Sequence, residues 1–94
     1  LTKPKRAKDP ELLAKYRLLP CVVCGSRPSD PCHIRSRGAM GPDIPNNLAA
    51  LCRKHHTEQH AIGIFRFTLR YDAFRYYIQQ LGWEVGKYRL VAPF

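Results

Sequence analysis

The chain has 94 residues, 45% of them hydrophobic and 24% charged, which is enough for one domain, and a second within this stretch is not expected. A core this small is marginal without a metal or disulfide staple, so the four cysteines and four histidines are the first residues to weigh. Sixteen Lys and Arg against seven Asp and Glu leave a formal charge of +9, which suits a polyanion, and no apolar run approaches the roughly 18 residues of a membrane span.

Residues 1–8 carry Lys3, Lys5, Arg6 and Lys8 with no apolar stretch behind them. They read as a basic arm, solvated or lying along phosphates, rather than a secretory leader, and a reducing cytoplasm is the expected setting. Residues 9–94 are expected to form a single domain. Asp9-Pro10-Glu11 supplies a capping oxygen, a proline at the first helical position and an acid in the first turn. Leu12, Leu13, Tyr16 and Leu19 then recur at helical spacing until Pro20 ends the helix.

From Cys21 to Pro45 six prolines and glycines after the first knuckle break any helical period, and only short strands fit, around Cys32–Arg35 and Leu48–Leu51. Arg53–Ile62 reads as a helix stopped by Gly63. Phe74, Tyr77, Ile78 and Leu81 mark a further helix, capped near Asp72 and closed by Gly82, and Trp83–Phe94 leaves room for one strand. Most of the aromatics Phe65, Phe67, Tyr71, Phe74, Tyr76 and Tyr77 are expected in the core, with Tyr76 off the stripe and exposed. Arg66, Arg70 and Arg75, interleaved with them, could give this C-terminal helix a basic face.

Cys21-Val-Val-Cys24-Gly and Cys52-Arg-Lys-His55 share one ligand spacing and together make a Cys3His set for a structural zinc; a disulfide or buried free thiols are the alternatives. His56 and His60 are four apart, so on a helix they project from one face and can share a second ion. At about 100° per residue they face roughly 90° away from Cys52 and His55, which allows two metals on one helix.

His33, Asn47 and His56, in this order and with Asn47 nine residues before His56, resemble the His-Asn-His signature of the HNH nucleases. The stretch 20–67, reading PCVVCG, PCHIRSRGAMGPD and NNLAALCRKHHTEQHAIG, is similar to small bacterial and phage HNH proteins with a zinc knuckle, and more loosely to the nuclease domain of phage recombination-enhancement proteins. The resemblance implies an α+β fold with a ββα-metal core, stapled by the Cys3His knuckle and flanked by N- and C-terminal helices. It implies His33 as general base, Asn47 as the brace of the loop between the strands, and His56 and His60 as holders of the catalytic ion. Cys32 stands where the family usually has Asp or His as a further ligand. A thiolate there suits zinc better than Mg²⁺, so the active-site cation is left among Mg²⁺, Mn²⁺, Ni²⁺ and Zn²⁺. Met40 is a second departure, in a loop where another glycine is expected.

The residue types fit phosphodiester hydrolysis, which needs a proton taken from water and negative charge neutralised at phosphorus and the leaving oxygen. Arg35 and Arg37, just beyond the base, could grip phosphates or sit in a solvated loop; Arg53 and Lys54 carry the same two readings. The expected activity is DNA cleavage by a metal-dependent endonuclease in a bacterial or phage-infected cell. A zinc-stabilised nucleic-acid-binding module without catalysis is the alternative, and the sequence leaves a homodimer or an accessory protein open.

Overall fold

The computed structural model describes residues 5–94; residues 1–4 of the basic arm lie outside the described residues. Helix α1, Pro10–Arg17, begins where the capping signal placed it: Asp9 Oδ1 accepts from the Leu12 amide at 3.0 Å. After the turn-rich segment come β1, Ser29–His33, and β2, Leu48–Cys52, paired antiparallel with Ser29 opposite Cys52 and His33 opposite Leu48. Helix α2, Arg53–Ile62, follows β2 without a break. The first strand thus starts and ends earlier than expected. Pro31 lies inside it, tolerated because both strands of a two-stranded sheet are edges where a missing N–H need not break a ladder.

All five residues of β2 are buried because both of its faces are covered. Leu48 and Ala50 pack with Tyr16 of α1, while Ala49 and Leu51 join Cys32, Ile34, Phe67, Phe74, Ile78 and Trp83 in the larger core. Phe74 is fully buried, and its truncation to Ala removes about 3–5 kcal/mol, a large part of the stability of any small domain.

The segment expected to hold one C-terminal helix contains two, α3 at Ile64–Arg70 and α4 at Asp72–Gln80. Gly63, at φ 88°, ends α2 and starts α3 directly, so no loop composition announces the new helix. Asp72 does not cap α4; Tyr71 occupies that position, and Asp72 instead pairs with Arg75 at 2.7 Å. Arg70 pairs with Glu58, so two of the three arginines read as a basic face are already engaged within the chain. Tyr76 is exposed and Phe67 and Phe74 are buried, as the stripe implies. The tail forms a ribbon of two short strands rather than one: β3, Glu84–Val85, pairs antiparallel with β4, Leu90–Val91. Trp83 fixes this ribbon to the body by donating from its indole to Asn46 O at 2.6 Å.

Among the described residues, no helix is long and apolar enough to cross a membrane.

Candidate active site

Two turns bring the first set of ligands together. The Cys21–Cys24 knuckle closes on Gly25, which takes φ 77° and donates its amide to Cys21 O at 2.8 Å. Val22 N donates to Ala50 O at 2.9 Å, tying the knuckle to β2, whose last residue is Cys52; one turn further on, α2 presents His55. The donor atoms of Cys21, Cys24, Cys52 and His55 all lie within 4.8 Å of one another. Cys24 Sγ is 3.7 Å from Cys52 Sγ, and His55 Nδ1 is 3.2 Å from Cys52 Sγ and 3.7 Å from Cys21 Sγ. Two sulfurs bound to one tetrahedral zinc at about 2.3 Å would stand roughly 3.8 Å apart, so the donor set and its spacing fit such an ion. All four cysteines are free thiols, so none is in a disulfide. Hydrogen bonds to Ser26 pull the Cys24 thiol down to about 6, favouring the thiolate a metal takes.

The next residue of α2 belongs to a different group. His56 Nε2 lies 3.1 Å from His60 Nε2, and on the other side of the ring His56 Nδ1 lies 3.2 Å from Asp30 Oδ2 of β1. Burial holds His56 below the ordinary imidazole range despite the opposing pull of Asp30, which favours the neutral form that can ligate. An imidazole whose Nδ1–H is held by a carboxylate offers its Nε2 lone pair outward, the arrangement common around protein-bound metals.

His33 closes β1, on the face opposite Cys32 as strand alternation requires. Its Nε2 is 2.7 Å from Asp43 Oδ1. Asp43 is buried and also accepts from the Arg6 guanidinium and, through Oδ2, from the Asp9 amide at 2.9 Å. Burial alone would raise its carboxyl, but the Asp9 amide, His33 and Arg6 outweigh that and hold it at about 2.

The loop between the strands is held by Asn47, fully buried. Its Oδ1 accepts from Arg35 N at 2.7 Å, and its Nδ2 donates to Arg35 O at 3.1 Å and Pro42 O at 3.0 Å. Within the loop Gly41 passes so close to Arg35 that a Cβ would stand 1.8 Å from Arg35 O. Met40, where a glycine is expected, adopts φ 65° and ψ 24°, the left-handed conformation that glycine takes most readily.

A cleft of about 800 Å³ gathers His33, Arg35, Arg37, His56 and His60 among its lining residues. Arg53 and Lys54 lie away from it, beside the Cys3His cluster. Cys32 is not brought to His56 and His60. It is fully buried in the core with its Sγ 3.6 Å from Gln59 Oε1, and burial pushes the thiol up to about 12. Sequence reasoning missed Asp30 and Asp43. Asp30 stands three residues before His33, and no local pattern pairs it with α2; Asp43 stands ten positions after His33, across the loop between the strands.

The chain is thus a small α+β domain that joins a two-stranded hairpin to a histidine-bearing helix, with a Cys3His cluster able to hold a metal ion at their junction. Residues 10–82 match the model of the family described as "Putative HNHc nuclease", and the chain is a member of the HNH nuclease family. No curated protein and no solved structure matches it.

Proposed function

We propose that the protein is a metal-dependent endonuclease that hydrolyses phosphodiester bonds in DNA. The observation that carries this reading is the convergence of His33, His56 and His60 on one cleft, with His56 and His60 Nε2 atoms 3.1 Å apart. The order β1, β2, α2 agrees with a ββα-metal core, and the Cys3His cluster is assigned to a structural zinc that joins the knuckle to the hairpin and α2.

In this reading His33 removes the proton from the attacking water. His56 and His60 would hold a divalent ion, which when bound would supply positive charge for the scissile phosphate and its leaving oxygen. Asn47 fixes the loop that carries Arg35 and Arg37, both exposed at the cleft, where they meet flanking phosphates. Arg53 and Lys54 extend the basic surface along the opening turn of α2. Cys32 is left out of the ligand set, since a neutral thiol sealed in the core is neither placed nor ionised for coordination.

A plasmid-nicking assay with Mg²⁺, Mn²⁺, Ni²⁺ and Zn²⁺ tests the proposal. Parent protein should cleave with at least one ion, and His33→Ala should slow cleavage by roughly 10²- to 10⁴-fold with DNA affinity retained. A folded, zinc-loaded parent that binds DNA and cleaves no duplex, nicked, branched or single-stranded substrate would instead establish a binding module.

A further inference from the structure

His33 is not a solitary imidazole. Its Nε2 meets Asp43 Oδ1 at 2.7 Å, and both residues are largely withdrawn from solvent, with side chains 8% and 1% exposed. Every oxygen of that carboxylate is committed: Oδ1 to His33 and Arg6, Oδ2 to the Asp9 amide at 2.9 Å. Arg6 is itself held by Gly41 O at 3.2 Å, and the Asp43 amide donates to Ala7 O at 2.9 Å, so residues 6–9 clamp the carboxylate from the amino-terminal side. An ionised carboxylate only accepts hydrogen bonds, so the proton between the two residues belongs to His33 Nε2. His33 Nδ1 has no hydrogen-bond partner among the described residues, and His33 lines the cleft.

We propose that Asp43 is the positioning residue of His33: it holds the neutral ring as the Nε2–H tautomer and in one orientation, so that Nδ1 is the atom that takes the proton from water. This rests on the reading of His33 as base. The step balances without a further reactant. The water proton passes to Nδ1 and the water oxygen bonds to phosphorus. The bond from phosphorus to the leaving oxygen breaks, that oxygen takes a proton from solvent, and His33 later returns its own proton to solvent. During the step the ring becomes an imidazolium with both nitrogens protonated, and the Asp43 carboxylate balances the new charge across the 2.7 Å contact. Arg6 keeps Asp43 ionised and fixed rather than meeting the ring itself.

Long-range ¹H–¹⁵N NMR on histidine-labelled, zinc-loaded full chain, at a pH where His33 is neutral, reads the tautomer directly, and plasmid nicking under the same conditions reads its consequence. The parent should show His33 with Nε2 protonated. Asp43→Ala should lose that preference and cut kcat by at least tenfold, approaching the loss caused by removing the base, while KM for DNA stays within about twofold. Asp43→Asn keeps the shape and one acceptor, and should fall between the two; it carries the test alone if Asp43→Ala does not fold. A parent His33 protonated on Nδ1, or a folded Asp43 variant that cleaves at the parent rate, overturns the proposal. A parent that cleaves nothing removes the nuclease reading and with it the role of Nδ1 as base, whereas a cleaving parent with the wrong tautomer removes only the role of Asp43.

Discussion

His56 and His60 hold their Nε2 atoms 3.1 Å apart, one helical turn from each other on α2, while Asp30 reaches across from β1 to the far nitrogen of His56. Two neutral imidazoles can satisfy this contact only if one donates to the other, whereas a cation between them would use both lone pairs at once. Titration of zinc-loaded protein with Ni²⁺ or Mn²⁺ by calorimetry should therefore find one further site. His56→Ala should abolish it. Asp30→Ala should weaken it by about 10- to 100-fold, the usual worth of a carboxylate that orients a ligating histidine. Unchanged affinity in both variants would locate the second ion elsewhere.

The knuckle should behave as a folding element. Cys24→Ser removes one of four converging donors, and because binding energy in such sites is largely folding energy, the variant should lose zinc by elemental analysis and melt well below the parent. Prolonged chelation should have the same effect on the parent. A variant that keeps a full equivalent of zinc and the parental melting temperature would show that Cys24 is not a ligand.

Asp43 gives the fold an acid limit. Its carboxyl is depressed from 3.8 to about 2, so its contribution is complete above the unfolded value and disappears as pH falls through the folded one. The full contribution is about 2 kcal/mol, of which about half should be gone by pH 3. Asn cannot titrate there, so urea unfolding of the parent and Asp43→Asn should show a stability gap that narrows by about 1 kcal/mol between pH 5 and pH 3. A constant gap would mean that the anchoring does not depend on the charge.

Met40→Gly should stabilise the protein. A side chain in the left-handed region costs about 1–2 kcal/mol, and glycine returns part of that as extra freedom in the unfolded chain, leaving a net gain of about 0.5–1 kcal/mol. Met40 is 48% exposed, so little packing is lost. Thermal melts of the two proteins check this, and a lower midpoint for the variant would show that the methionine side chain makes up for its backbone.

What could be read in advance was local. Asp9-Pro10 placed the start of α1 and Gly63 the end of α2, because caps and breakers act within a few residues. Cys21, Cys24, Cys52 and His55 announced themselves by paired spacing, and the missing glycine at Met40 marked a real backbone constraint. Helix α3 was missed although Ile64, Phe67, Thr68 and Tyr71 follow a helical stripe, since it follows α2 through one glycine and has no capping side chain. Asp30 and Asp43 were invisible for another reason. Each acquires its partner through strand pairing or loop closure, and carboxylates at such separations carry no periodic signal.

The ribbon after α4 lies just beyond the family match, which stops at residue 82, yet Trp83, Tyr88, Arg89 and Leu90 line the same cleft as His33, His56 and His60. The cleft is therefore lined both by residues inside the family match and by a ribbon tied to them through the Trp83–Asn46 hydrogen bond, the burial of Trp83 in the core and the Arg35 guanidinium over the Phe94 ring. Any strand that reached His33, His56 and His60 would meet the ribbon's Tyr88 and Arg89 in the same cleft, so a change in the ribbon's charge or length would alter what the histidines can meet.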